Sequence, residues 1–590
     1  MPGKVVELEH LITPDQMALK ISEKYWTWET LREEKKAEWT EVRKYVYAVD
    51  TKKTTNSKLP WKNSTTIPKL CQIRDNLYAN YIKTLFPNRK WLEWEGEDES
   101  SDDAEKSNNI ENYMRWVVKR SGFKDVIGKL LLDWIDTGNC IATPDWIDET
   151  QTTTDEQTKV GYIGPVAVRL SPLDTVFDPL APDFRRSPKI VRSFISLGEL
   201  KEMITRETTP ENSEEMEGLW HYLKDLRYRV NNMTGTVKEK DEYFAIDGFD
   251  SFQAYLQGDY AEILTFYGDM YDLDNDIFYR NHMITVVDRH RIIAKRPHPS
   301  FFGHAPIYHC GWRPRQDNLW AMGPLDNLVG MQYRIDHIEN LKADVFDLIT
   351  FPVLKIKGLV DDFEWEPMAR IQVSEEGDVD MIVPDVQILQ ANIEIQNYET
   401  KMEEMAGAPK EALGFRTPGE KTKYEVQRLE NAASRIFLMR MEQFAVFVED
   451  LLQAMLELAR RRMTTTQIRV EDEEFNTASF LQLSALDITG NGRLRPVAVS
   501  HFAEKAEKVQ NATAFFGSAI GADPAVNVHF SGVETAKMFA DLLDLEGYNL
   551  VTPFIRLTEQ ADAQRLGNAH QEQTMMEAGT PSGLAQDDFG

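Results

Sequence analysis

From Gly323 onward the apolar positions fall into a long and ordered pattern. Leu325, Leu328, Gln332, Ile335, Ile338, Leu341, Val345 and Leu348 recur three or four residues apart, which predicts one stripe of a helix over 323–350. Pro324 suits its first turn and Pro352 stops it. Between Phe351 and Leu389 the pattern changes to short apolar runs broken by Gly358, Pro367, Gly377 and Pro384, which predicts a small strand-rich insert. A second helical arm, ANIEIQNYETKMEEMAG, covers 390–408 and ends at Gly407. The loop 409–423 carries Lys410, Arg416, Lys421 and Lys423 among two prolines and glycines. A long amphipathic helix follows with Val426, Leu429, Ala433, Ile436, Phe437, Phe444, Phe447, Val448, Leu451, Met455 and Leu458 on one face. Some forty residues of helix span roughly 60 Å, and Arg460, Arg461 and Arg462 complement its negative end.

The rest of the chain is read more coarsely. KYWTWETLREEKKAEWTEVRKYVYAVD predicts one early amphipathic helix with Trp26, Trp39 and Tyr45 packed inside, and a second helix ends at Pro87. The acidic run EWEGEDESSDDAEKS reads as a solvated loop. DWIDTGNCIATPDW is a helix turning through Gly138 into a strand. Beyond Met463 a short strand region turns at Gly490, Asn491 and Gly492. Two helical stretches and an aperiodic tail, 567–590, complete the chain.

A chain of 590 residues implies several cores. No apolar run is long enough to span a bilayer and the first residues lack an apolar signal core, so a soluble chain without a standard export signal is expected. Cys71, Cys140 and Cys310 are widely separated and cannot all pair, which suits buried free thiols in a reducing cytoplasm. The formal net charge of -29 argues against a general tight nucleic-acid binder. It fits either simple solubility or an acidic wall past which DNA slides.

No catalytic constellation stands out. GFRTPGEKT approaches a phosphate-binding loop, but Glu420 separates Gly419 from Lys421 and no buried strand precedes it. Asp272, Asp274 and Asp276 have calcium-loop spacing, yet Ile277 stands where that loop needs glycine and Met283 where it needs a carboxylate, so a hairpin turn is expected. His304, His309 and Cys310 form the nearest approach to a metal cluster in an apolar segment; no metal or cofactor is expected there or elsewhere.

The order of elements resembles the portal proteins, or head-to-tail connectors, of tailed double-stranded DNA bacteriophages, short-tailed phage type. GPLDNLVGMQYRIDHIENLKADVFDLITFPVL, the insert after it and GEKTKYEVQRLENAASRIFLMRMEQF carry the resemblance, which spans roughly Trp26 to Arg495 by order of elements. It implies an α+β, mainly helical subunit: wing (1–322), stem helix 1 (323–350), a small α/β clip (351–389), stem helix 2 (390–408), tunnel loop (409–423), long wing helix and following strand (424–480), wing end and helical crown (481–566), and a flexible tail. It further implies a homo-oligomer, a dodecamer, at one capsid vertex of the virion, assembled in the host cytoplasm and acting as a structural protein rather than an enzyme. Its partners by resemblance are the major capsid protein, scaffolding protein, the terminase large subunit, tail adaptor and ejection proteins, and double-stranded DNA in transit; no membrane is involved. Lys355, Lys357, Asp361, Asp362, Trp365 and Arg370 are the candidate clip contacts to terminase or adaptor. Lys410, Arg416, Lys421 and Lys423 are the candidate DNA contacts, with pairing to acidic residues of a neighbouring subunit as the alternative. Another virion ring such as a tail adaptor, and a cytosolic enzyme with an unrecognised site, are the competing readings.

Overall fold

The computed structural model describes residues 15–48, 63, 65–86, 91–98, 104–152, 158–210, 212–229, 238–249, 260–272, 276–298, 303–350, 353–358, 378–382, 390–407, 423–472, 477–496, 512 and 535–539. The chain forms two compact units, Met1–Ile468 with Leu481–Val499, and Arg469–Phe480 with Ser500–Gly590. Helices α1 (Gln16–Thr30), α2 (Glu33–Val46) and α3 (Lys69–Leu85) come first, then β1 (Leu92–Gly96), α4 (Ala104–Arg120) and α5 (Phe123–Asp136). Strands β2 (Asn139–Thr152), β3 (Thr158–Leu170), β4 (Thr175–Phe177) and β5 (Lys189–Ser196) lead into α6 (Leu197–Glu207), α7 (Ser213–Arg229) and α8 (Lys238–Ile246). After β6 (Tyr260–Asp272), β7 (Ile277–Val287), β8 (Arg291–Pro297) and β9 (Tyr308–Gly311) come α9 (Val329–Thr350), β10 (Val353–Lys357), β11 (Asp378–Ile382), α10 (Asn392–Ala406) and α11 (Lys423–Arg462). Strands β12 (Thr466–Asp472), β13 (Thr477–Leu483) and β14 (Gly492–Pro496) follow. The fold is thus mixed, with helix predominating.

The largest sheet has the order β4-β5-β6-β7-β8, antiparallel throughout. Both of its faces are covered. Met17, Ala18, Ile21 and Tyr25 of α1 pack on Ile190, Leu264, Phe266, Ile284 and Val286. On the other side Leu200, Ile204, Leu219 and Leu223 of α6 and α7 pack on Ala261, Ile263, Val287 and Ile293. Two-sided burial explains why β6 opens on four consecutive buried residues, Ala261 to Leu264, instead of alternating. Just before β7 Asp276 has φ 53°, a left-handed conformation that aspartate tolerates, and Asp272 stands opposite Ile277, so β6 and β7 pair antiparallel where a hairpin was expected.

A second sheet, β3-β2-β9, lies beside α5 and α11. Phe123, Ile127, Leu130, Leu131, Trp134 and Ile135 bury one side of α5, and Trp134 meets Trp312 (ring centroids 4.5 Å apart) and Phe444 of α11 (5.0 Å). Each such side chain contributes about 1.5–3 kcal/mol by leaving water. As expected, α5 turns through Gly138 into β2. Gly138 has φ +75°, and a Cβ there would lie 2.4 Å from the Gly323 nitrogen, so both backbone freedom and space require glycine.

Several expectations are corrected. The early amphipathic stretch is two helices, parted at Leu31 and Arg32. The buried Arg32 guanidinium donates to the carbonyls of Pro172 (2.6 Å) and Leu173 (2.7 Å), which holds this corner inward. Trp39 and Tyr45 are buried, but Trp26 is 59% exposed, on the face of α1 turned away from the sheet. The acidic run is not one loop: Leu92 and Trp94 alternate inward in β1, which pairs with β14, and the run ends inside α4. Helix α9 starts at Val329, so Pro324 lies in the turn before it and not in its first turn. On α11 Phe444, Phe447, Val448, Leu451 and Met455 are buried as predicted, while Leu458 is half-buried.

Candidate functional site: the junction of two helices with an extended strap

Helices α9 and α10 pack on each other, and the N-terminus of α3 sits against both. Along α9 apolar residues are only a third of what is buried. Ile335 and Ile338 are buried, but so are Gln332, Asp336, Asn340 and Asp344, one residue in every four. Leu341, Val345 and Leu348 are only half-buried.

The polar residues are covered because an extended segment lies along them. The Asn63 N–H donates to Asp344 Oδ1 (3.2 Å), the Thr65 N–H to Asn340 Oδ1 (2.7 Å), the Ile67 N–H to Asp336 Oδ1 (2.9 Å) and the Leu70 N–H to Gln332 Oε1 (3.1 Å). The fit follows from two repeats. Four residues of helix rise about 6 Å, and two residues of extended chain advance roughly 6.6 Å. The alternate amides of Asn63, Thr65 and Ile67 therefore meet successive acceptors of the helix, and Leu70, in the first turn of α3, supplies the fourth. Gln332 Nε2 returns a bond to the Ile67 carbonyl at 2.6 Å, and the Asn63 amide bridges Asp344 (3.0 Å) and Asp347 (2.7 Å). Burial holds the Asp336 carboxyl above its ordinary value, against the opposing pull of the Ile67 N–H and the Gln332 amide.

The ladder ends in a buried ion pair, Lys69 Nζ to Glu403 Oε1 of α10 at 2.7 Å. The start of α3 is thus clamped to α9 through Gln332 and to α10 through Glu403. A second polar hub steadies the turn before α9. The fully buried Asn139 donates from Nδ2 to the carbonyls of Thr137 (2.9 Å) and Ala321 (3.1 Å), and its Oδ1 accepts from the Ala321 N–H (2.9 Å) and lies 3.0 Å from His309 Nε2.

Away from this clamp the two helices present apolar side chains to solvent. Phe346 is 62% exposed, Ile393 70% and Met405 45%. Helix α10 ends as predicted at Gly407, with φ 73°. Strands β10 and β11 pair antiparallel between the helices, with Lys355 and Lys357 exposed on β10.

The remaining candidate residues separate. Lys423 opens α11, whereas Lys410, Arg416, Lys421, Asp361, Asp362, Trp365 and Arg370 lie outside the described residues. His309 and Cys310 point to opposite faces of β9, and no group of three metal-ligating side chains occurs among the described residues. Cys310 instead stands directly opposite Cys140 in the β2–β9 register, a proximity that sequence separation concealed. Both are free thiols, and burial pushes that of Cys140 well above its ordinary value.

A cavity of about 240 Å³ lies under α8, lined by Trp39, Asp133, Arg169, Tyr243 and Asp247 among others. Its charges are committed to one another: Arg169 chelates Asp133, Arg43 chelates Asp247, and Lys240 reaches Asp174 at 2.5 Å. Burial pushes Asp133 up to about 6 against the pull of Arg169. With both of its oxygens held by Arg169, it is not placed as a free acid or base.

No family model matches the chain, and no curated protein matches it. Sequence reading missed the ladder, the Lys69–Glu403 clamp and the Asn139 hub. The ladder alone had a visible signal, the four-residue spacing of Gln332, Asp336, Asn340 and Asp344.

Proposed function

We propose that this chain is a portal subunit of a tailed double-stranded DNA bacteriophage. It assembles as a ring at one capsid vertex, admits the genome under a separate terminase, later lets it out, and anchors the tail. The observation that carries this reading is the succession of α9, the β10–β11 pair, α10 and the 40-residue α11, with apolar side chains exposed on the first two helices. In a ring, α9 and α10 are the stem, β10 and β11 belong to the clip, and Phe346, Ile393 and Met405 are covered by the next subunit. Head-to-tail interfaces of this kind close a circle. The buried strap and clamp support it further, because a stem that bears load needs its two helices fixed to the body of the subunit. The net charge of -29 suits a channel wall that does not hold DNA.

Negative-stain electron microscopy of the full chain, with its mass measured on the same sample, tests the proposal. Rings of many 68.0 kDa subunits around a channel are expected. A monomer that persists in the presence of scaffold and coat protein refutes it.

A further inference from the structure

Among the described residues no carboxylate pairs with Arg313, Arg315 or Arg440, in a chain where Asp and Glu outnumber Lys and Arg by 96 to 67. Arg313 directly follows β9 and Trp312, and its backbone is pinned to Met322 by two hydrogen bonds of 3.2 and 3.1 Å. Arg440 lies one turn along α11 from Phe437. Phe437 stacks on Tyr81 at 4.6 Å, and Tyr81 meets Trp312 edge-on at 5.5 Å. Cys310 Sγ reaches the Gln443 carbonyl at 3.7 Å, which ties β9 to the same turn of α11. The two arginines therefore flank one rigid aromatic cluster. The Arg440 side chain makes one hydrogen bond, Nη1 to Gln443 Oε1 at 3.0 Å. Burial holds its guanidinium below its ordinary value and Arg313 pushes it lower; the other groups acting on it are Tyr81 and Cys310, with no carboxylate among them. Arg315 stands two residues beyond Arg313 on the same exposed turn.

We propose that Arg313, Arg315 and Arg440 form a phosphate-binding cluster for the backbone of a nucleic acid. A guanidinium presents a planar fork of N–H donors that grips phosphate oxygens in pairs. Two such forks on one aromatic cluster, with no carboxylate partner among the described residues, offer an anion a place. The exposed run Arg313–Asp317 carries no large apolar side chain to anchor a protein partner, so the contact is one of charge, as in recognition of a phosphate backbone. The choice of nucleic acid over a free anion rests on the portal reading; the phosphate chemistry does not.

The test uses the full chain, a fluorescent DNA duplex and salt between about 50 and 200 mM. Weak, salt-dependent binding is expected. Each of Arg313→Gln, Arg315→Gln and Arg440→Gln should lower affinity several-fold and reduce the slope of log affinity against log salt by about one. Lys201→Gln, on α6, should change neither. Arg313→Gln should also raise the melting temperature in phosphate-free buffer, since it removes a repulsion, and this gain should vanish in phosphate. Folded variants with unchanged duplex affinity and slope overturn the proposal. Displacement of the duplex by millimolar inorganic phosphate at constant ionic strength reassigns the cluster to a free anion and overturns the nucleic-acid assignment. A monomer that binds duplex through these arginines keeps the cluster and refutes the ring, whereas a ring indifferent to their removal does the reverse.

Discussion

Lys189 offers the sharpest test of the energetics. Its side chain is fully buried, and Nζ donates to the Phe184 carbonyl at 2.7 Å while lying 4.1 Å from the Phe184 ring centroid. Burial lowers the amine to about 7, and Asp183 offsets only part of this. The unfolded chain holds its proton up to 10.5. Above that value both states are neutral and the lysine carries no ionic penalty. As pH falls toward 7 the unfolded chain gains a proton that the folded chain lacks, so stability drops by up to about 5 kcal/mol and then levels off. Replacing Lys189 with Met removes this term but leaves the Phe184 carbonyl without its donor, at about 1–2 kcal/mol. The net gain near pH 7 is therefore about 3 kcal/mol. At roughly 2.1 cal/mol/K of unfolding entropy per residue, a cooperative unit of this size has about 1 kcal/mol/K, so the melting temperature should rise by about 3 °C. Differential scanning fluorimetry of both proteins from pH 7 to 10.5 reads the difference directly. The advantage of Lys189→Met should shrink as pH rises and reverse near pH 10.5. A difference that does not change with pH would falsify the argument that this amine is buried neutral.

His309 makes the mirror case in acid. Burial lowers its imidazole to about 3, so stability should fall by up to about 5 kcal/mol between pH 6.5 and 3 as the unfolded chain alone takes up the proton, and His309→Gln, which cannot titrate, should lose less in an acid-unfolding series. In the ladder, Asn340→Leu leaves the Thr65 N–H without its acceptor and should cost about 1–3 kcal/mol, with faster hydrogen exchange across residues 63–70; Asp336→Asn keeps the acceptor and should exchange like the parent. Two of the left-handed glycines, Gly122 and Gly138, should differ sharply. Gly122→Ala, with nothing within 4 Å of the new Cβ, should cost only about 1–2 kcal/mol, while Gly138→Ala also drives a methyl into the Gly323 backbone and should abolish soluble, protease-resistant protein.

These outcomes bear on what could be read before the fold was known. Period and punctuation located α5, β2, α10 with its Gly407 cap and α11, because each of those signals is local. What failed was burial decided by a distant segment. Asp336, Asn340 and Asp344 lie off the apolar stripe read from the sequence, and nothing nearby in sequence competes for their oxygens; they are buried because Asn63, Thr65, Ile67 and Leu70 arrive from more than 260 positions away. The same holds for Cys140 and Cys310, 170 residues apart and yet paired in register. Trp26 failed in the opposite sense: an aromatic expected to pack is left outside because the sheet takes the Met17–Ile21–Tyr25 face of α1. A buried polar residue on a helix costs free energy unless a partner meets it, so four in a row at one spacing require a backbone that supplies an amide at each step. That requirement makes the strap and α9 one mechanical element: removing an acceptor should loosen the strap from end to end, and Thr65 exchanging alone after Asn340→Leu would show instead that the four bonds act independently.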